Sequence, residues 1–304
     1  MKFLENQTIM KTKEETMSND LKIKPNIFLY IIFVTGAILV GDIAILLIEY
    51  FIFGGKNFLK ASVQASDIYN IVSLIGQILS ISFSLLVAKK LLNRSNFSLG
   101  IRKENFIKDY SQGIILSLFQ LGLIVSLAYL LNSAALSINN NVKISYVLLF
   151  TLGWVIQGFS EELICRSLFM NGFTAFGSVK SAILLNSLIF SFLHIGNNSI
   201  NFIALINLLL SGFVYSLLFY LKDSIWTAAA AHSFWNMIQG NLFGMSVSGF
   251  PVAKATIFKT ELFGSNLLTG GEFGIEASLL CTLAELLVII FVYNIIKKKS
   301  LIID

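Results

Sequence analysis

Three ionisable side chains interrupt one long apolar run of the sequence. The stretch Ser160-Glu161-Glu162-Leu163-Ile164-Cys165-Arg166 lies inside the run from Val142 to Phe176. A charge at the centre of a bilayer costs from ~3 to well over ~10 kcal/mol, so such groups normally face the interior of a helix bundle or a wet cavity. The stretch therefore indicates a functional site.

A helix over this stretch would give the two glutamates different surroundings. Glu162 and Arg166 are four residues apart and share one helix face, whereas Glu161 points about 100° away from Glu162. The spacing predicts an ion pair between Glu162 and Arg166. It leaves Glu161 free for chemistry.

Both histidines of the chain also lie in apolar segments. His194 ends the stretch Phe190-Ser191-Phe192-Leu193-His194, and His232 begins His232-Ser233-Phe234-Trp235-Asn236. The second spacing places an imidazole and the Asn236 amide on one helix face, one turn apart. A lone intramembrane histidine often only bonds across a helix interface. Ionisable groups on three separate segments favour function instead, because buried ionisable clusters are associated with active sites.

The composition is that of a membrane protein. The 304 residues are 56% hydrophobic and 13% charged, with a mean hydropathy of +0.78, whereas soluble domains have roughly a quarter charged residues. The net charge of +5 comes from basic residues that flank apolar segments, without the basic and aromatic clusters of a nucleic-acid-binding protein. Cys165 and Cys281 lie in apolar segments and indicate no disulfide framework.

Eight apolar runs are predicted to be membrane helices, since a span needs about 20 apolar residues. They are Ile27–Phe53, Ile68–Leu92, Gly113–Leu136, Val142–Phe176, Val179–Gly196, Phe202–Leu221, Ile225–Met245 and Ile275–Ile296. The predicted fold is therefore an all-α polytopic membrane protein. Residues 1–24 are predicted to be a polar, solvated cytosolic tail, and residues 25–304 a single membrane-embedded domain with its motif core at 142–240.

The lysines and arginines set the predicted orientation. With the N-terminus inside, 17 of the 22 fall on the inner side of the eight helices and five on the outer side. The positive-inside rule therefore predicts a multi-pass protein of the cell membrane with both termini in the cytosol.

Five further polar residues stand in the predicted spans. Gln157, one turn before Glu161, is expected to line the same cavity without being catalytic. Asp42, Gln77 and Gln120 are expected to make packing contacts or cross-helix hydrogen bonds, and the role of Glu285 is left open.

The motifs Glu-Glu-x-x-x-Arg, Phe-x-x-x-His and His-x-x-x-Asn, in this order, resemble those of the CPBP family. This family comprises the type II CAAX prenyl endopeptidases and bacterial relatives described as bacteriocin-processing or abortive-infection proteins. The resemblance is carried by Glu161 to Arg166, Phe190 to His194 and His232 to Asn236. It implies an intramembrane endopeptidase with eight transmembrane helices around a conical polar cavity open to the cytosol.

The resemblance also implies roles for the motif residues. Glu161 would be the general base, with His194 holding and polarising the attacking water. His232 and Asn236 would donate hydrogen bonds to the oxyanion. The supporting residues would be Glu162, Arg166 and Phe190.

Two alternatives accompany this interpretation. Within the enzyme class, Glu161, His194 and His232 would form the two-His, one-Glu ligand set of a catalytic zinc, although no cofactor is expected. Outside it, a non-catalytic immunity factor or transporter-like scaffold would keep the polar cluster for packing or ligand binding. The expected partners are the lipid bilayer and a membrane-associated substrate: a bacteriocin leader, a peptide signal or another membrane protein.

Overall fold

Apolar helices make up most of the computed structural model, which describes residues 6–18, 25–60 and 66–301. Short 3₁₀ turns at Gly55–Leu59, Gly271–Phe273 and Ile275–Ala277 join some of the helices. In chain order the elements are α1 (Gln7–Thr16), α2 (Ile27–Ile52), α3 (Asp67–Lys90), α4 (Phe106–Leu130), β1 (Ala134–Ile138), α5 (Ile144–Phe173), α6 (Val179–Leu193), α7 (Phe202–Lys222), α8 (Trp226–Met237, continued by a π-helical turn at Ile238–Leu242), β2 (Phe258–Leu262), α9 (Asn266–Thr269) and α10 (Leu279–Lys298).

Each of the eight predicted apolar segments contains a helix. Six of these helices are long and apolar enough to cross a membrane, namely α2, α3, α4, α5, α7 and α10. Helix α6 has 15 residues, or about 22 Å at 1.5 Å per residue, which is less than the ~30 Å hydrocarbon layer. The prediction of an all-α polytopic membrane protein is confirmed.

The directions of the helices give the bundle two distinct ends. Helices α2 and α3 are antiparallel, with Gly41 packed on Ser80 and Glu49 accepting a hydrogen bond from Tyr69. One end, here called the terminal end, carries α1, the last residues of α10 and the connections 91–105, 174–178 and 223–225. The opposite end, here called the ribbon end after the two-stranded ribbon of β1 and β2, carries the connections 131–143 and 243–278, which include these strands.

The two strands correct the prediction for the third apolar segment. Helix α4 ends at Leu130 and not at Leu136, because Asn132 adopts a left-handed conformation (φ 52°) that ends the helix. Ala134 and the four residues after it form β1, which pairs antiparallel with β2. An apolar run alone does not distinguish the end of a helix from a strand whose partner lies far along the chain.

The prediction of a solvated N-terminal tail is wrong for residues 6–18. The threonine face of α1 is buried, with Thr8 and Thr12 fully inaccessible. Thr8 N–H donates to Asp223 Oδ1 at 2.8 Å, and Thr12 Oγ1 donates to the Ser98 carbonyl at 3.1 Å. These polar contacts leave no apolar signal in the sequence, so hydropathy alone missed them. The rest of the predicted tail lies outside the described residues.

Candidate active site

Helix α5 separates the two glutamates as predicted. The Glu162 side chain is completely buried, and its Oε1 lies 3.1 Å from Nη1 of the equally buried Arg166. The Glu161 side chain is 28% exposed and points into a cavity. The ion pair between Glu162 and Arg166 is confirmed, and Glu161 makes no ion pair with Arg166.

Aromatic rings and a carbonyl complete the surroundings of Arg166. Its guanidinium lies 4.6 Å from the ring centre of Phe190 and 5.2 Å from that of Tyr215. Its Nη2 donates to the Gly212 carbonyl at 3.4 Å. Cation–π contacts of this kind are strongest where water is excluded, so Phe190 supports the buried cation.

His232 lies between the two glutamates. Its Nδ1 is 2.8 Å from Glu162 Oε1, and its Nε2 is 3.7 Å from Glu161 Oε2. The imidazole also stacks on the Tyr215 ring, with a centroid distance of 5.0 Å and an interplanar angle of 9°. Glu162 and Tyr215 therefore fix the ring so that Nε2 faces the cavity.

His194 approaches Glu161 from another side. It is the first residue after α6, and its Nε2 lies 3.9 Å from Glu161 Oε2. Its Nδ1 donates to the Phe190 carbonyl at 2.8 Å, since a carbonyl oxygen can only accept. In the neutral imidazole, Nε2 is then the unprotonated nitrogen and faces the cavity as an acceptor.

Asn236 reaches the same carboxylate through Gln157. Asn236 Nδ2 donates to Gln157 Oε1 at 2.9 Å, and Gln157 Nε2 donates to Glu161 Oε1. The prediction that Gln157 lines the cavity is confirmed. Glu161 thus has one oxygen held by an amide and the other facing two imidazoles.

Local backbone features bring α5 and α8 together at this point. Gly158 packs directly on Ser233, where a Cβ would collide with the Ser233 backbone and hydroxyl. A π-helical stretch, Leu163–Met170, follows Glu162, and another, Ile238–Leu242, follows Asn236. Wide turns of this type occur frequently at functional sites. Glu162 on α5 and Asn236 on α8 therefore lie just before a change in helical pitch.

The site lies at the inner end of a cavity that reaches the ribbon end. A volume of 260 Å³ surrounds Glu161, His194 and His232. A second volume of 410 Å³ shares Glu161 with it and extends to Tyr69 and Pro251. Because both volumes share several lining residues, they form one continuous path from Glu161 towards the connections of the ribbon end.

Two residues expected to make packing contacts or cross-helix hydrogen bonds also line this cavity. Asp42 and Gln77 border both volumes, and Gln77 makes the expected cross-helix hydrogen bond, accepting from Ser160 Oγ at 3.3 Å. Glu285 lines neither volume and accepts a hydrogen bond from Ser211 at 3.0 Å. Hydropathy could not separate these cases, because each is a polar residue in an apolar helix.

The position of the cavity also makes two of the predictions incompatible. The cavity opens at the ribbon end, whereas α1 and the last residues of α10 lie at the terminal end. Cytosolic termini and a cytosol-facing cavity therefore cannot both be right. The first expectation came from the charges of this chain, and the second from the family resemblance.

Residues 143–238 match the family described as type II CAAX prenyl endopeptidase Rce1-like. The matched segment runs from the residue before α5 to the first π-helical residue after Asn236, so it includes Glu161, His194, His232 and Asn236, whereas Asp42 and Gln77 lie outside it. Residues 143–238 are thereby identified as a CPBP-family domain. None of the curated proteins compared with the chain matches it.

A domain of this family is typical of the intramembrane CAAX-type proteases. Together with the six long apolar helices, it makes the protein a multi-pass membrane hydrolase that acts in a lipid bilayer on membrane-associated substrates.

Within the described residues, no group of three or more His, Cys, Asp and Glu side chains is arranged to hold a metal ion. The three side chains of the zinc alternative, Glu161, His194 and His232, nevertheless face one another. The distances from Glu161 Oε2 to the two imidazole nitrogens are 3.7 and 3.9 Å.

Two residues at the CPBP site were missed by the sequence. Tyr215 stacks on His232 but belongs to no motif, so nothing in its spacing marks it. Glu49 is 3% exposed and lines the outer part of the cavity. It accepts hydrogen bonds from Tyr69 and Ser73. Its signal was available, because an acidic residue in the apolar run Ile27–Phe53 is as unusual as Asp42.

Proposed function

We propose that the protein is an endopeptidase in which Glu161 activates a water molecule as general base. The observation that carries this proposal is that Glu161 Oε2 faces Nε2 of His232 at 3.7 Å and Nε2 of His194 at 3.9 Å. Two polar atoms at such separations can share a water about 2.8 Å from each. A water held in this way would be next to the carboxylate that must accept its proton.

The proposed reaction begins with attack of this water on the carbonyl carbon of the scissile bond. A C–O bond forms while Glu161 takes the proton, and the carbonyl π electrons move onto oxygen to give an oxyanion. The protonated Glu161 then returns the proton to the amide nitrogen as the C–N bond breaks. The products are a carboxylate and an amine, and no redox partner is needed.

His232 and Asn236 are proposed to stabilise the oxyanion. A protonated His232 donates through Nδ1 to Glu162 and through Nε2 into the cavity. The Asn236 amide has two N–H donors, of which one is bonded to Gln157, and we assign the other to the substrate. Donors held in place before the reaction are worth about 10²–10³ in rate each.

Glu162, Arg166 and Phe190 are positioning residues in this mechanism. Glu162 holds His232 through Nδ1, Arg166 compensates the charge of Glu162, and the Phe190 ring covers Arg166. Glu162 and Arg166 line neither cavity volume, whereas Phe190 also borders the inner volume around Glu161.

A metal-free reaction is proposed over a zinc-dependent one. Zinc ligands at about 2.0–2.1 Å in a tetrahedron lie about 3.3 Å apart, which is shorter than both distances to Glu161 Oε2. Full activity after dialysis against a strong chelator supports this choice. Loss of activity in chelator that returns with added zinc would contradict it.

The experiment compares new N-termini in membranes of cells that carry the parent protein or Glu161→Gln. A new N-terminus found only with the parent protein marks a cleavage site. The uncleaved segment that spans this site is then synthesised with its membrane anchor and offered to the purified protein. We expect Glu161→Gln to lower cleavage by about 10²–10⁴-fold. Glu285→Gln is the matched control, since it makes the same change at a buried membrane glutamate that lines neither cavity volume.

The same experiment tests the non-catalytic alternative. An immunity factor or transporter-like scaffold would give identical terminal peptides with and without Glu161. The purified protein would then leave every anchored peptide intact.

A further inference from the structure

The path from Glu161 to the surface runs along one end of the bundle. It passes Trp154 and Phe150, towards the start of α5, and reaches Tyr69 near the start of α3. At its rim the Phe250 side chain is 56% exposed. These positions all belong to the ribbon end, so a substrate approaching along the cavity would come from that side.

The opposite side of the site is filled by buried polar residues. Glu162, Arg166, Ser167 and Asn171 follow Glu161 along α5 towards the terminal end, and all four have no exposed surface. Ser167 Oγ donates to the Leu99 carbonyl, and Asn171 Nδ2 donates to the Ser98 carbonyl at 2.7 Å. Within the described residues, this layer separates Glu161 from the terminal end.

A second layer, built around Arg94, lies nearer the terminal end. The Arg94 side chain is buried and donates to the Tyr30 hydroxyl at 3.0 Å, to Thr12 Oγ1 at 2.8 Å and to the Ser98 carbonyl at 2.7 Å. Tyr30 in turn donates to the Leu168 carbonyl at 2.9 Å. Helix α1 is therefore tied over this end of the bundle.

The charges identify which membrane face each end meets. Of the described lysines and arginines, 13 lie at the terminal end, and the ribbon end has Lys56, Lys60, Lys143, Lys254 and Lys259. The positive-inside rule counts such residues in short connections, as they are here. It places the terminal end in the cytosol and the ribbon end on the opposite face.

We infer that the cavity leading to Glu161 opens on the membrane face opposite the cytosol. Resting on the proposed function, the substrate class is then a membrane-anchored peptide segment exposed on that face. The scissile bond would enter between the start of α3 and the connection that carries Pro251. A cytosolic C-terminal tail would meet the closed terminal end instead.

Cysteine labelling in intact bacterial cells tests the orientation without requiring activity. Asn70→Cys places a thiol in the cavity, Val252→Cys places one beside its rim, and Lys298→Cys places one at the terminal end. The native Cys165 and Cys281 are buried, and the parent chain measures their background. A charged maleimide does not cross the bilayer, since charge in hydrocarbon is costly.

We expect Asn70→Cys and Val252→Cys to be labelled in intact cells, and Lys298→Cys only after permeabilisation. The reverse pattern would overturn the inference. A second result would also overturn the inference: Val252→Cys is labelled, but Asn70→Cys stays fully protected in both intact and permeabilised cells. The cavity would then be closed at the ribbon end.

The new N-termini found in cells with the parent protein and with Glu161→Gln distinguish this inference from the proposed function. Cleavage sites that depend on Glu161 and lie on the outer face of their substrates support both. Cytosolic cleavage sites would overturn the orientation and leave the peptidase. An outward labelling pattern without any Glu161-dependent cleavage would support the orientation and refute the peptidase.

Discussion

Glu162 Oε1 lies 2.8 Å from His232 Nδ1 and thereby turns the other imidazole nitrogen towards Glu161. Glu162→Gln should disturb this arrangement and leave the fully buried Arg166 without its ion-pair partner. Breaking a buried pair costs about 3–5 kcal/mol. We expect a lower Tm in detergent and a loss of cleavage of about 10–100-fold, the range found when residues that orient metal-bound imidazoles are replaced.

A double variant separates positioning by Glu162 from its contribution to stability. Replacing a buried ion pair by apolar residues of similar volume is often neutral, so Glu162→Leu with Arg166→Met should recover most of the Tm. Cleavage should stay low because His232 Nδ1 then has no carboxylate partner at position 162. If cleavage recovers in step with Tm, Glu162 has only a structural role.

Tyr215 is expected to act on the site through its ring. The ring stacks on His232 and lies 5.2 Å from the Arg166 guanidinium. Tyr215→Phe keeps both contacts and should retain near-parental cleavage. Tyr215→Ala removes them and leaves a cavity, with a destabilisation of about 3–5 kcal/mol. Equal cleavage rates for the alanine and phenylalanine variants, measured on folded protein, would show that the stacking is irrelevant.

Docking of α1 should contribute measurably to stability. Thr12→Val removes the hydroxyl that accepts from Arg94 Nη2 at 2.8 Å and donates to the Ser98 carbonyl. Leaving buried polar groups unsatisfied costs about 1–3 kcal/mol, so Tm should fall by several degrees. Lys13→Ala, one residue further along the exposed face of α1, is the control and should leave Tm unchanged. A similar Tm for both variants would contradict the docking.

Glu276 should make the stability of the protein depend on pH. Burial raises the pKa of its carboxyl, which accepts hydrogen bonds from Trp235 Nε1 at 3.1 Å and Ser248 Oγ at 3.0 Å. A raised pKa in the folded state means that its contribution is fully present below the unfolded value of about 4.3 and is lost as pH rises through the folded value.

The measurement compares Tm for the parent and Glu276→Gln across this pH range. Glutamine does not titrate, so the Tm advantage of the parent should shrink as pH rises. Circular dichroism at a series of pH values in detergent would follow it. A Tm difference that stays constant, or grows with pH, would contradict the raised pKa.

The sequence predicted the helical parts of this molecule well because each apolar run is a local signal. It also predicted the pairing of Glu162 with Arg166, which follows from four-residue spacing. The strand β1 was missed because its partner β2 lies more than a hundred residues away. The docking of α1 was missed because threonine and arginine side chains carry it without apolar burial.

The site shows the same division between local and distant information. The motifs identified Glu161, His194, His232 and Asn236, and the structure brings them to one cavity. The spacing of the motifs could not show that Glu162 holds His232, since these residues are 70 positions apart. Nor could it show which end of the bundle the cavity opens to, because that depends on the packing of α2, α3 and α5 together.

Cleavage of a membrane-anchored peptide by purified protein tests the central claim most directly. The peptide spans a cleavage site whose new N-terminus appears only in cells with the parent protein. Its cleavage is compared for the parent, Glu161→Gln and Glu285→Gln. The proposed mechanism predicts a loss of about 10²–10⁴-fold for Glu161→Gln and near-parental cleavage for Glu285→Gln. Equal cleavage by the parent and Glu161→Gln, with both folded to the same Tm, would contradict it.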